Sequence, residues 1–281
     1  MKIEISLIKE LRDRTGVGLA SCREALIASD GNIDAAIQWL RTQGVLKARA
    51  KEGRVNNDGL VIALTQENHA IILELNCETD FVAKNKVFQN LIQKIAQIFL
   101  ANNPDILEEG LNLVDENNVT ISQLISDATL KTGEKISVSR FEIIKANADE
   151  TLITYNYPKH EAKIASLLKL KGKVNHDLAL QLAMHVVARK PIFISRQHIS
   201  PEFMAQEQAV IDSQMANENK PPEILARIKM GKIEKQLAEY CLVDQPFIND
   251  DSKKIQVICD ENDTAVLAMY RFEVGEYSKE N

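Results

Sequence analysis

An internal repeat constrains the fold of this sequence more than any other feature. Residues 59–76 read GLVIALTQENHAIILELN and residues 151–172 read TLITYNYPKHEAKIASLLKLKG, two stretches in which apolar residues alternate around a polar turn. Each stretch is followed by an amphipathic segment that stops before a proline, Pro104 in the first copy and Pro191 in the second. Alternation predicts a β-hairpin, and the longer apolar period predicts a helix that the proline ends. We therefore predict a hairpin followed by a helix, twice.

Each copy closes with a strand of similar sequence, VSRFEII at residues 138–144 and MYRFEVG at residues 269–275. The second copy is longer between its helix and this strand, because Arg140 and Arg271 lie 131 positions apart whereas the two prolines lie 87 apart. The second copy therefore holds 44 additional residues, which predict an inserted element.

The inserted element is predicted to be an antiparallel helical hairpin at about residues 200–243. Ser200 can cap a helix that begins at Pro201, and NENKPP at residues 217–222 predicts the turn. A second apolar series then forms the returning seam: Ile224, Ile228, Ile233, Leu237 and Tyr240. Polar residues interrupt the apolar seam, which favours a projecting coiled-coil arm over a buried bundle.

The two copies also differ in the loop that joins hairpin to helix. His69 and His160 lie 91 positions apart and Pro104 and Pro191 lie 87 apart, so the first copy has four additional residues in this region. They fall in NCETDFVAKN, residues 76–85. A fold that closes without these residues in one copy does not need them for closure in the other. The loop is therefore predicted to serve a function.

Two interpretations of this loop follow from its residues. In the first, Phe81 packs back into the core as a staple to the next helix, and Asp80 caps locally. In the second, Phe81 is a rigid exposed aromatic beside a carboxylate, an arrangement common in protein-binding hot spots. The residues alone leave both interpretations open.

Residues 3–43 predict three short helices before the repeat. Gly16 can end the first helix, Asn32 can cap the third, and TGVGL at residues 15–19 is expected to form an exposed corner. A module of about 45 residues is near the lower size limit for independent folding, and we expect it to present a loop or helix end to a partner. The predicted fold class is α+β, with a three-helix domain at residues 1–53, a first core subdomain at 54–147, and a second core subdomain carrying the helical hairpin at 148–281.

Composition and motif content disfavour several classes of function. The net charge of −6 disfavours broad nucleic-acid binding, and we expect neither a signal peptide nor a membrane span. The five histidines are scattered, and no phosphate loop, nucleophile elbow or zinc spacing is found. We therefore predict no catalytic residue, no cofactor and no metal site. The four scattered cysteines are expected to be reduced thiols.

Six motifs along the chain resemble the bacterial translation elongation factor Ts family. They are LIKELRDRTGVGLASCREAL, DGNIDAAIQWLR, TDFVAKN, AMHVVARKP, QPFI and RFEVGE, and they occur in the family's order in a resemblance that runs from residue 3 to residue 275. The resemblance implies a ubiquitin-associated-like N-terminal domain and two related subdomains, the second with a helical hairpin. It also implies a guanine-nucleotide exchange factor for the GTPase elongation factor Tu, without covalent chemistry or a nucleotide site of its own.

The resemblance assigns two sets of partner-binding residues. The T-D-F-V loop, expected to contact the GTPase near its Mg²⁺ site, consists of Thr79, Asp80, Phe81 and Val82. The N-terminal corner, expected to contact the nucleotide-binding domain of the GTPase, consists of Arg12, Thr15, Gly16, Val17, Gly18, Leu19, Ala20 and Arg23.

The resemblance implies a cytoplasmic protein whose partner is elongation factor Tu, with neither a membrane nor a nucleic acid as partner. Whether it forms a homodimer or a heterotetramer is left open. The sequence after Glu276 departs from family members that have a further C-terminal helix, so we expect no such contact here. The alternative function is a non-catalytic adaptor or chaperone-like module that binds through its three-helix domain. A redox role for Cys77 is also left open, with a buried structural thiol favoured.

Overall fold

A computed structural model describes residues 3–215 and 221–276 of the chain. Within this part, the chain divides into two units. Of the described residues, the first unit comprises 3–144, 156–165 and 272–276, and the second comprises 145–155, 166–215 and 221–271. The division into three domains at residues 53 and 147 stays a prediction.

The first unit begins with three helices: α1 (Ile5–Thr15), α2 (Leu19–Ala28) and α3 (Ile33–Ala50). The predicted end signals are confirmed, because Gly16 takes a left-handed φ of 69° after α1 and the Asn32 side chain accepts a hydrogen bond from the amide of Ala35. Leu11, Cys22 and Leu26 are fully buried between the helices. Helix α3 is longer than predicted and packs along a later helix, where Gly44 lies against the backbone of Ser126.

Most of the remainder of the first unit is a three-stranded sheet covered by helices. In chain order its elements are β1 (Asp58–Gln66), β2 (His69–Cys77), α4 (Asp80–Ala83), α5 (Lys86–Asn102), α6 (Leu107–Asn112), α7 (Ile121–Thr132) and β3 (Ser137–Lys145). The strand order is β1-β2-β3, and β1 pairs antiparallel with β2 from Asp58 opposite Cys77 to Gln66 opposite His69. Helix α5 buries Phe88, Ile95 and Phe99 against this sheet.

The second copy of the repeat forms the same arrangement. Its elements are β4 (Glu150–Tyr157), β5 (Ile164–Lys171), α8 (His176–Arg189), α9 (Pro201–Met215), α10 (Pro222–Tyr240), β6 (Pro246–Phe247), β7 (Asp250–Lys254), α11 (Ile255–Glu261) and β8 (Val266–Glu273). The strand order β4-β5-β8 matches β1-β2-β3, because in both sheets the hairpin is followed by the closing strand of its copy. The predicted repeat and the α+β fold class are confirmed.

Helices α9 and α10 are the predicted inserted hairpin. The hydroxyl of Ser200 accepts a hydrogen bond from the amide of Phe203 at 3.1 Å, which caps α9 as predicted. Ile211 and Leu237 are buried, whereas Ile224, predicted to lie in the seam, is 47% exposed. The predicted turn lies largely outside the described residues, which stop at 215 and resume at 221.

Candidate functional site

The loop that distinguishes the first copy folds as a short, exposed helical turn. Strand β2 ends at Cys77 and α4 begins at Asp80, and the Asn85 side chain caps α5 by accepting a hydrogen bond from the amide of Val87 at 2.9 Å. The additional residues of the first copy are therefore ordered into a corner between a buried strand and a buried helix.

Phe81 projects from this corner with 80% of its surface exposed. The interpretation in which it staples the core is therefore wrong. The next residue, Val82, takes the buried position, where it joins the core cluster that contains Phe88. Helix α4 thus buries the side chains of Val82 and Ala83 and leaves the neighbouring aromatic ring exposed.

Asp80 lies beside the exposed ring and is the first residue of α4. Its carboxylate accepts a hydrogen bond from the Lys84 ammonium group at 2.7 Å, one turn further along, and the side chain is 45% exposed. This hydrogen bond and the nearby positive charges lower the pKa of Asp80 from its usual value. The corner therefore presents an ionised carboxylate, paired with Lys84, next to an apolar ring at neutral pH.

Glu134 holds the strand end from which this corner starts. One oxygen of its carboxylate accepts hydrogen bonds from the amides of Glu78 at 3.0 Å and Thr79 at 2.9 Å. The other oxygen accepts the hydroxyl of Thr79 at 2.6 Å. The two residues that precede Asp80 are therefore held by a side chain that follows α7.

A second carboxylate, that of Glu78, connects the same two chain segments in the opposite direction. Glu78 accepts a hydrogen bond from the amide of Lys135 at 2.7 Å and forms an ion pair with Arg54 at 3.2 Å. The hydrogen bond from Lys135 is the main cause that lowers the pKa of Glu78. The Lys135 ammonium group in turn donates to the backbone carbonyls of Glu52 at 2.6 Å and Arg54 at 3.0 Å. The segment that follows α3 is thereby tied to the base of the loop.

Cys77 is buried directly beneath this network. Its thiol donates a hydrogen bond to the carbonyl of Thr79 at 3.1 Å. Burial, with smaller contributions from the charges of Asp58 and Glu134, raises the pKa of the Cys77 thiol to about 12. The thiol is therefore protonated at neutral pH, which fits a structural residue.

The N-terminal corner forms a second local surface, on the connection between α1 and α2. Val17 is its buried anchor, at 3% exposure, and the hydroxyl of Thr15 donates to the carbonyl of Leu11 at 2.7 Å. Leu19 is 48% exposed. The remaining members of the set are exposed: Arg12, Gly16, Gly18, Ala20 and Arg23.

Sequence reasoning missed the residues that hold the loop in place. Glu134 is 55 positions from Thr79, and its sequence context, TGEK at residues 132–135, predicts only the end of a helix. Lys84, which pairs with Asp80, follows a helix-compatible spacing of four residues and could have been found from that spacing.

No cluster suited to metal binding occurs among residues 3–215 and 221–276, where no group of three or more His, Cys, Asp or Glu side chains could hold an ion. His185 is buried with its ring satisfied: Nε2 bonds to the side chain of Gln245 at 2.8 Å, and Nδ1 accepts from the amide of Ile248 at 3.2 Å. Burial lowers the pKa of His185, so its ring is a neutral structural group. In the same described ranges, no helix is both long and apolar enough to cross a membrane.

These features define an α+β protein in which a three-helix segment precedes two repeated hairpin-plus-helix units, the first with an exposed aromatic corner. The family model described as Elongation factor TS matches residues 78–276. The elongation factor Ts of Spiroplasma citri is 39% identical over 280 residues, covering 98% of this chain and 94% of that protein. The chain belongs to the elongation factor Ts family.

Proposed function

We propose that this protein is a guanine-nucleotide exchange factor that binds the GDP complex of elongation factor Tu and promotes the release of GDP, after which GTP can bind. The observation that carries the proposal is the exposed Phe81, displayed beside the charged Asp80 on an anchored corner of a member of the elongation factor Ts family. The protein would act by binding alone, without covalent chemistry of its own.

The proposed mechanism begins with insertion of the T-D-F-V loop, Thr79–Val82, near the Mg²⁺ site of the GTPase. A bound Mg²⁺ demands near-octahedral geometry and retains several water ligands, so a small shift of the groups that order those waters weakens its binding. Phe81 would be buried in an apolar pocket of the partner, and the carboxylate of Asp80 would disturb the polar network around the ion. Loss of the ion then weakens the phosphate contacts of GDP.

Insertion of one loop needs support from other contacts, because the rest of the protein must hold it against the partner. We propose that the N-terminal corner around Leu19 binds the nucleotide-binding domain of the GTPase, as the family resemblance implies. The second core subdomain, at residues 148–281, would bind another domain of the GTPase. We retain residues 1–53 and 54–147 as the proposed boundaries of the other two domains.

The exchange-factor proposal predicts that GDP and this protein weaken each other's binding. Because linkage is reciprocal, a protein that lowers the affinity of the GTPase for GDP is itself bound more weakly when GDP is present. We expect the dissociation constant of the complex with elongation factor Tu to rise roughly 5- to 150-fold when saturating GDP and Mg²⁺ are added to the nucleotide-free partner. Calorimetric titration in the two conditions measures this ratio.

The matched control is the same titration with a nucleotide that elongation factor Tu does not bind, which should leave the affinity unchanged. A non-catalytic adaptor has no reason to distinguish the nucleotide-free from the GDP-bound partner. Equal affinity in the two conditions would therefore contradict the exchange-factor proposal and favour an adaptor.

A further inference from the structure

We propose that Glu134 is the positioning residue of the exposed corner, and that Thr79 acts through it rather than by contact with the partner. The inference rests on the proposed function and deepens it. It separates the residues that touch the GTPase, Asp80 and Phe81, from those that fix where these two residues point.

The polar groups of Thr79 are all engaged within the protein. Its amide and its hydroxyl both donate to Glu134, at 2.9 and 2.6 Å, and its carbonyl accepts from the thiol of Cys77 and, at 3.3 Å, from the amide of Ala83. Thr79 occupies the N-cap position of α4, yet its side chain makes no capping hydrogen bond to that helix. Its hydroxyl is directed to Glu134 instead, which leaves it no free donor for a partner.

Glu134 is itself mounted rigidly. It follows Gly133, which takes a left-handed φ of 80° and ends α7 with a hydrogen bond from its amide to the carbonyl of Thr129 at 2.9 Å. Helix α7 is anchored by Ile121 and Ala128, which are buried in the core of the first unit. The carboxylate therefore fixes the end of β2, which precedes the corner, to a helix that is packed in the core.

Reciprocal hydrogen bonds join the end of β2 to the segment after α7, and together they restrict rotation of one segment against the other. Glu134 accepts from the amide of Glu78, and Glu78 accepts from the amide of Lys135. Two chain segments joined in both directions by charged acceptors lose freedom to twist about a single hydrogen bond. A loop held in this way keeps one orientation, so ordering it does not add to the barrier of the step in which it enters the partner.

Removing the charge of Glu134 should leave binding to the GTPase intact and slow the exchange step. For Glu134→Gln we expect the maximal rate of GDP release to fall about tenfold, because charge-assisted hydrogen bonds that hold the loop are lost. The concentration that gives half-maximal acceleration should stay within about twofold of the wild type, since most of the contact surface is unchanged. Fluorescent-GDP release measured at several concentrations of each variant gives both quantities.

Substitutions at Thr79 test whether the two residues act together. Thr79→Val removes the hydroxyl and should lower the maximal rate, whereas Thr79→Ser keeps the hydroxyl and should restore it. Adding Thr79→Val to Glu134→Gln should lower the rate by less than the product of the single effects, because both remove the same hydrogen bond. If the double variant loses as much rate as the product of the two single losses, the two residues do not act together.

Asp115→Asn is the matched structural control. Asp115 likewise accepts two backbone amides, those of Asn117 and Val119, each at 2.9 Å, but it does not bond to the T-D-F-V loop. This variant should keep the wild-type exchange rate even if its unfolding free energy falls as far as that of Glu134→Gln.

The outcomes distinguish a failure of the proposed function from a failure of the positioning role of Glu134. If the wild type does not accelerate GDP release, the proposed function fails and the inference fails with it. If the wild type accelerates release and Glu134→Gln matches it, or if Asp115→Asn loses as much as Glu134→Gln, the function stands and the positioning role is wrong. A loss of maximal rate confined to Glu134→Gln and Thr79→Val supports the inference.

Discussion

Replacing Phe81 with alanine is expected to lower the maximal rate of GDP release from elongation factor Tu by roughly 30-fold or more, the effect of losing one binding hot spot. The ring is 80% exposed, so its removal leaves no cavity in the folded protein. We therefore expect the free energy of unfolding to change by less than about 0.5 kcal/mol. Fluorescent-GDP release and urea denaturation of the same preparation measure the two quantities.

Ile106→Ala is the matched control for this prediction. Ile106 is also a large apolar residue, 55% exposed, but it lies at the start of α6 rather than on the T-D-F-V loop. Its removal should leave exchange unchanged. If Phe81→Ala accelerates release as well as the wild type, the corner is not the inserted element, and exchange is driven from another surface.

Among the variants proposed here, Arg140→Met is expected to lose the most stability. Its free energy of unfolding should fall by about 3–5 kcal/mol. Arg140 pairs at 2.7 Å with Glu74, whose side chain is only 1% exposed, and its guanidinium group lies 4.1 Å from the centre of the Phe272 ring. Glu74 also accepts the amide of Gly275 at 2.8 Å. Without Arg140, this carboxylate is left buried without its countercharge.

The control for this substitution is Arg196→Met, which removes an arginine from a more exposed pair. Arg196 is 42% exposed and bonds to Glu234 and Asp244, each at 2.7 Å. Exposed pairs contribute about 1 kcal/mol or less, so the control should unfold close to the wild-type urea midpoint. Equal losses in the two variants would show that the burial of Glu74 does not set the cost.

The sequence predicted the features of the fold that depend on local patterns. Hairpins follow from alternation and helix ends from Gly16, Asn32 and Ser200, since each of these signals acts within a few residues. The 44-residue excess of the second copy correctly located the helical hairpin. The seam of that hairpin was only partly predicted, because Ile211 and Leu237 are buried whereas Ile224 is 47% exposed.

The sequence located the candidate site but did not determine how its side chains are oriented. The four-residue excess in the first copy marked the loop, but whether Phe81 points inward or outward depends on which apolar neighbour takes the buried position. Val82 takes it together with Ala83, and Phe81 is left exposed. The hydrogen bonds from Glu134 were not predictable, because contacts between residues 55 positions apart depend on tertiary packing.

The most direct test of the central claim is catalytic turnover. Elongation factor Tu loaded with fluorescent GDP is mixed with excess unlabelled GDP and a small molar fraction of this protein, and the loss of fluorescence is followed with time. The exchange-factor account predicts that the small fraction empties nearly all of the labelled GTPase, because each molecule is released and acts again. Release limited to one GDP for each molecule of this protein, or no acceleration at all, would contradict it.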